Sequence, residues 1–510
     1  MFIKTPRILL VQPLTPPSYW GFQESVKFLG ARAALPPLPL ITVAGLLPRQ
    51  WQYRLVDLNI ETLTDKDLQW ADYVLLTGMI IHRDSMKEVL ARCRAIGVKT
   101  IVGGPFVSSS PDASELTDAD TRVIGELEDQ TLLATLVSDL RSRALRATYR
   151  AHAFPDLGYC RVPRFDLLDV SAYTSLSIQV SRGCPHRCEF CNVRMLNGNR
   201  PRYKSTEEAR AELDAVYATG FQGNVFIVDD NFIGNVYAVM PVLDTIVAWQ
   251  LSHHFPFLFY TEADIRLADM PELVNYLVSA GFFAVFIGFE SPSKEALEGA
   301  KKHQNLKIDP VQAVSVLRQH GLLVYGGFIV GFDSDGPDCF DATVEFVEKC
   351  AVDFAMVGML MAIPGTPLYD RLAQEGRLRT DDSGDQFAET NVIPLRMTQR
   401  QLVAGYRKLL QQIYNPSRFF ARAARGLREW TPRVHRPYTW QEVGAVFRSF
   451  WWQGVLAPYR LAYWRFILQV TFNNPANFGR AIAIAASGYH FFAYTREVVV
   501  PRLIAAERRL

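Results

Sequence analysis

The chain predicts an α/β protein in three parts: a doubly wound parallel sheet, an incomplete (β/α) barrel and a mostly helical C-terminal module. Three observations predict this. Short apolar runs alternate with helical periodicity from residue 7 to about 145; the same alternation restarts at Ser175; strand signals fade after about residue 385. Its 510 residues accommodate roughly three domains at ~150 residues each. With 49% apolar and 21% charged residues, global disorder is excluded. The balance of 54 basic against 52 acidic residues, net +2, offers no charge argument for nucleic acid or an anionic membrane.

In the first part, 7–11, 53–57, 73–77, 100–102 and 122–124 read as strands. They are short, apolar and fit a sheet buried on both faces. Helices at 38–47 and 85–95 separate them, the second ending at Gly97. Parallel sheets of this kind bind ligands at the carboxyl ends of their strands. Residues 146–174 read as a connector, with Pro155 and Pro163. The second part has six strand signals, at 175–181, 224–229, 257–261, 284–290, 322–330 and 355–363. One intervening helix starts at the capping box Ser205-x-x-Glu208; another spans 271–280 and ends at Gly281. Six βα units suggest a partial barrel with its site at the strand C-termini.

Seven Cys are too few for a disulfide scaffold of this size. Three of them, Cys184, Cys188 and Cys191, follow the first barrel strand as C-x3-C-x2-C. Thiolates are soft ligands, and Cys holds Fe–S clusters. Three thiolates hold three irons of a [4Fe–4S] cluster and leave one iron open. The alternative is zinc with His186 as a fourth ligand, at a spacing tight for such a site. Cys93, Cys160, Cys339 and Cys350 are scattered and read as buried packing. The N-terminus has neither an h-region nor a small-residue cleavage site, and no uncharged apolar run reaches the ~20 residues of a membrane helix. The expected location is cytoplasmic.

The cysteine segment, with Phe190 before its last Cys, resembles the radical S-adenosylmethionine (SAM) superfamily motif. The resemblance implies that SAM chelates the open iron and is cleaved to a 5′-deoxyadenosyl radical. It assigns Asp229, Asp230 and Asn231, closing the second barrel strand, to the SAM amino end. Glu290, closing the fourth, suits the ribose hydroxyls. Gly327, Ile329 and Gly331 belong to a strand that packs against adenine, and Thr261, Glu262 and Arg266 face either the cavity or a salt-bridged rim.

The first part is similar to Rossmann-like cobalamin-binding domains of the same superfamily, through Thr77-Gly78, Gly103-Gly104-Pro105 and Gly125-Glu126. The D-x-H-x-x-G motif of His-ligated cobalamin proteins is absent, so no protein His ligand to cobalt is expected. His82 reads as a loop or helix-cap residue. Lys301–Asn305, Gly331–Asp335, Gly405-Tyr406 and Ile413-Tyr414-Asn415-Pro416 resemble the subgroup that includes hopanoid C-methylases. The resemblance implies a cobalamin-binding domain (1–145), a linker (146–174), a radical SAM partial barrel (175–384) and a helical module (385–510). Its implied activity is C-methyl transfer to an unactivated carbon of a small, lipid-like substrate, with flavodoxin or ferredoxin as electron donor. The alternatives are a radical SAM isomerase or cyclase, or an iron–sulfur scaffold. A methylthiotransferase is disfavoured, because no second Cys trio lies near the N-terminus.

The region 447–472 interleaves Phe450, Trp451, Trp452, Tyr459, Tyr463 and Trp464 with Arg448, Arg460 and Arg465. Two readings stand: a helical cover with a core of aromatics, or an interfacial surface that contacts a membrane. Nucleic acid is disfavoured by the neutral overall charge. Oligomeric state is not legible.

Overall fold

The computed structural model describes residues 5–109, 116–379, 389–434 and 436–510. The first sheet has six parallel strands in the order β2-β1-β3-β4-β5-β6. They are β1 (Arg7–Gln12), β2 (Gln52–Asp57), β3 (Tyr73–Thr77), β4 (Lys99–Gly103), β5 (Thr121–Ile124) and β6 (Thr148–Arg150). Ile8 and Leu10 of β1 join the core on one face, Leu9 and Val11 the core on the other. Burial on both faces is why β1 and β3 are continuous apolar runs. The sixth strand lies within the stretch expected to be a connector. Only Tyr149 of its three residues is buried, so an edge strand this short leaves no periodicity to read.

The second sheet is also parallel, in the order β7-β10-β11-β12-β13-β14. Its strands are β7 (Ser175–Ile178), β10 (Gly223–Ile227), β11 (Phe257–Glu262), β12 (Phe282–Glu290), β13 (Leu323–Val330) and β14 (Phe354–Met359). A small antiparallel pair, β8 (Ser181–Arg182) and β9 (Arg202–Tyr203), brackets the cysteine segment. The expected strand 175–181 is therefore two pieces. It breaks at Val180, whose N–H goes to the Asp229 carboxylate. The capping box at Ser205 and Glu208 forms as expected, and the helix it starts is Thr206–Ala218.

Along β10 to β13, alternate residues face opposite ways. Phe257 stacks on Trp249 of the helix Val236–Ser252, which marks the outer face. The concave face carries Phe226, Tyr260, Phe286 and Tyr325. The rings of Phe226 and Tyr260 stack at 4.6 Å, and Trp20 from the loop after β1 sits 4.9 Å from Phe286. One ring from each of β10, β11, β12 and β13 thus builds an apolar wall, and β12 ends in Glu290.

The helical module is docked by hydrogen bonds as well as apolar packing. Tyr406 Oη donates to Val357 O (2.8 Å), and Tyr414 Oη to Ala355 O (2.5 Å), both carbonyls of β14. Tyr494 Oη donates to Pro17 O (2.7 Å), so the module also grips the loop after β1. A single continuous core joins barrel and module. No described helix is long and apolar enough to cross a membrane.

Candidate functional site

The cysteine loop hangs between β8 and β9 and is clamped by the acidic end of β10. Asp229, 1% exposed, accepts from Val180 N (2.8 Å) and Ser181 Oγ (2.6 Å). Asp230 accepts from Gly183 N (2.8 Å) and Asn197 Nδ2 (2.9 Å). The two carboxylates expected at the SAM amino end are thus engaged with the loop that carries the thiols. Burial raises both carboxyls, and Asp229 reaches about 7. Gly183 has φ +98°, and a Cβ there would lie 2.8 Å from Arg200 O, so only glycine starts this loop. Asn231 donates to Asp264 Oδ2 (2.8 Å) and lies 4.0 Å from Cys184 Sγ.

The three thiols are half-buried, and burial, with Cys188 close by, raises Cys184. Burial, then the neighbouring Cys188 and Cys184, push Cys191 up to about 12 despite a bond from Val193 N–H. Thiolates this close repel one another, so Cys184 and Cys191 hold their protons until a metal displaces them. His186 is not a fourth ligand. Its Nε2 faces Asp264 Oδ2 at 3.0 Å, beside Arg266. Among the described residues no three Cys, His, Asp or Glu converge as a single ion requires. Three soft thiolates on one short loop, with His186 engaged elsewhere, suit three irons of a [4Fe–4S] cluster. Gln304 adds an amide 3.7 Å from Cys188 Sγ.

Phe190 anchors the loop to the far end of the sheet, with its ring 6.2 Å from Phe332 and among Leu360, Ala362 and Leu368. Ile329 packs at the same cluster. Gly327 lies under the Phe286 ring, where a Cβ would come within 2.8 Å. Gly331 turns away: its N–H goes to Asp335, and a Cβ there would meet Leu402 of the helical module at 3.3 Å.

Glu290 sits at φ +63° and binds Lys302 Nζ at 2.5 Å. Lys302 stands between Glu290 and the thiols. Burial opposes its charge, but Glu290 and then Cys188 raise its pKa. Glu262 ends β11 on the concave side; its carbonyl accepts from Phe232 N (2.9 Å), and its carboxyl makes no hydrogen bond among the described residues. Burial, then Asp230 and Asp229, push it up to about 8, so it is protonated at neutral pH. Thr261 instead faces the strand beside it, donating to Ile227 O (2.9 Å). Arg266 belongs to the rim: it pairs with Asp264, which burial would raise but Arg266, His186 and Asn231 hold well below the usual carboxylate range.

At the first sheet, three strand-end turns are tied together. Phe106 N donates to Gly78 O (2.9 Å), and Gly125 N to Ser108 Oγ (3.0 Å). Gly104 has φ +90°, and a Cβ there would lie 2.1 Å from Thr77 Oγ1. Gly103 runs close to Val123 O. Backbone, not charged side chains, lines this edge, which suits close approach by a large flat ligand. Glu126 does not belong to that edge as expected. It binds Arg202 (2.5 Å) and Arg182 (2.7 Å), and Arg182 also binds Glu128 (2.7 Å). His82 is a cap: Nδ1 accepts from Met79 N, and Nε2 meets Thr15 Oγ1. Burial lowers it to about 4, so it is neutral.

The two strand-end regions meet. The helix Pro105–Ser109 after Gly104 packs on the helix Val193–Asn197 after Cys191. A Cβ on Gly365, after β14, would touch Met195 Sδ and lie 3.6 Å from Ser109 O. Sequence reasoning placed Glu128 only beside the Gly125 turn, did not single out Arg182 or Met195, and gave Lys302 no role. Arg182 and Met195 flank the cysteine motif directly, which is the signal that could have found them.

A model of the radical SAM superfamily matches residues 178–347, and one of a domain of unknown function (DUF4070) matches 366–501. An uncharacterized methyltransferase of Synechocystis is 37% identical over 97% of this chain and 92% of its own length. The hopanoid C-2 methylase of Rhodopseudomonas palustris is 35% identical over 82% of this chain and 78% of its own. The cobalamin-dependent SAM radical enzyme OxsB, solved with aqua-cobalamin, superposes with a TM-score of 0.62 at 15% identity, covering 99% of this chain and 81% of OxsB. With the cysteine loop, the glycine-lined edge and the helical module all accounted for, the chain belongs to the cobalamin-binding radical SAM methylases, in the group of the hopanoid C-2 methylase.

Proposed function

We propose that the protein transfers a methyl group to an unactivated carbon of an apolar, polycyclic substrate held against the concave face of the barrel. The observation that carries this is the packing of the helix after Gly104 on the helix after Cys191. It puts the segments that follow β4 and β8 side by side, and the chamber of this reading lies between the strand ends that they follow. Cys184, Cys188 and Cys191 hold the cluster; the Gly104 and Gly125 turns admit cobalamin. When bound, the cluster would supply the electron that splits SAM into methionine and a 5′-deoxyadenosyl radical, and cobalamin would supply the methyl group.

The chain's own residues position and exclude. Asp229 and Asp230 fix the cysteine loop from beneath. Glu290, oriented by Lys302, accepts from the SAM ribose, and protonated Glu262 donates a hydrogen bond into the chamber. Arg182 locks the first sheet to the barrel through Glu126 and Glu128. Phe226, Tyr260, Phe286, Tyr325 and Trp20 offer flat apolar surface and few polar groups, which favours a lipid-like ring system. The name of the R. palustris relative points the same way. A reduced flavodoxin or ferredoxin is the proposed electron source.

The test uses anaerobically reconstituted protein with hydroxocobalamin, a reductant, SAM labelled with deuterium in its methyl group and a lipid extract. The reading predicts 5′-deoxyadenosine and a lipid in which one CD3 group has replaced a hydrogen. Deoxyadenosine with no labelled product from lipid or tetrapyrrole extracts would count against methyl transfer to such substrates.

A further inference from the structure

The helical module turns an apolar face to solvent. On the helix Trp440–Ser449, Trp440 (90% exposed) and Phe447 (67%) lie seven residues apart on one stripe. The π-helical turn Phe450–Leu456 adds Trp451 (58%). The helix Arg460–Asn473 adds Leu461 (82%), Leu468 (49%) and Phe472 (82%), again spaced to share one stripe. The core of this hairpin is made by other residues, among them Tyr463 and Phe466, so the exposed set is not needed to fold it. Exposed apolar surface this concentrated marks an interaction site.

Local charge says what covers it. From 443 to 496 the chain has no Asp or Glu, while Arg448, Arg460, Arg465, Arg480 and Arg496 fall inside that stretch. Arg460 and Arg465 are exposed and form no ion pair among the described residues. The net +2 of the whole chain conceals this asymmetry. We propose that the hairpin docks the enzyme on a lipid bilayer carrying anionic headgroups. Trp440, Phe447, Trp451, Leu461, Leu468 and Phe472 enter the headgroup–acyl boundary, and Arg460 and Arg465 sit at the phosphates. The proposal stands on the surface alone and does not depend on the proposed methyl transfer, although it would bring the chamber to a lipid substrate.

The test is flotation of the full-length protein with vesicles of phosphatidylcholine alone and of equal phosphatidylcholine and phosphatidylglycerol, without SAM. Binding to the anionic vesicles, weakened by salt, is expected. Leu461→Ser with Phe472→Ser should lower the bound fraction on the order of tenfold. Arg460→Glu with Arg465→Glu should lower binding to anionic vesicles several-fold and leave any neutral-vesicle binding unchanged. Unchanged thermal unfolding shows that each variant is folded. Parent protein that stays in solution with anionic vesicles overturns the proposal. So does equal binding by both folded double variants. A parent dimer that Leu461→Ser with Phe472→Ser converts to monomer, with no vesicle binding, overturns it too and assigns the face to a second copy. Each failure would leave the deoxyadenosine and methyl-label assays untouched.

Discussion

The two parallel sheets end in opposite chemistries. The first presents backbone at its strand ends: Gly78, Gly104 and Gly125, cross-tied through Phe106 and Ser108. The second presents ionisable groups: Asp229, Asp230, Glu262, Asp264 and Glu290 around three thiols. One edge recognises by shape and needs no charged contact. The other gathers charge where a small polar cofactor and a metal cluster must be held. The shared architecture decides only where ligands go; side chains at the strand ends decide which ligands.

The largest effect expected falls on the charged edge. Replacing Cys184, Cys188 or Cys191 by Ala should each abolish most of the cluster absorbance, measured after anaerobic reconstitution, while cobalamin retention persists. The mirror experiment is Gly104→Val. Its side chain would collide with Thr77 and force a β-branched residue to φ +90°. It should lose cobalamin retention with the cluster spectrum intact. Loss of both in either variant would mean that the edges are not independent.

Joining the edges has its own cost. Arg182→Met would leave Glu126 and Glu128 buried with their shared guanidinium gone. A loss of about 3–5 kcal/mol is expected, read as a lower urea midpoint. Glu262 sharpens the contrast through pH. Its folded-state pKa of about 8 lies above the unfolded value of 4.5, so the buried acid stabilises fully below about pH 4.5. That contribution is lost as pH rises towards and through 8. In cofactor-free protein, Glu262→Gln should flatten the fall in Tm between those values. The smallest effect is at the module: Tyr406→Phe removes one hydrogen bond to Val357 O and should cost about 1 kcal/mol by urea unfolding.

Most of the fold was legible because both sheets are parallel and covered by helices. Apolar runs such as 7–11 and 322–330 then stand out from their flanks. The cysteine trio was legible because ligand spacing is a local property. What sequence missed is long-range or short. β6 is three residues at an edge, with one of them inward. Glu126 looked like part of a glycine turn, but its partners Arg182 and Arg202 are 56 and 76 residues away. Asp229 and Asp230 were placed at the right strand end. Their engagement with the cysteine loop depends on a strand break at Val180 that no periodicity announces. The aromatics of 447–472 divided between core and surface, and only packing separates Tyr463, fully buried, from Phe472, 82% exposed.

The most direct test of the joined chamber is 5′-deoxyadenosine release, quantified by mass spectrometry, from reconstituted protein given SAM and a one-electron reductant. Release by the parent protein, and none from Cys188→Ala that still retains cobalamin, is the predicted result. Equal release from the two proteins, or none from a parent with a full cluster spectrum, would contradict it.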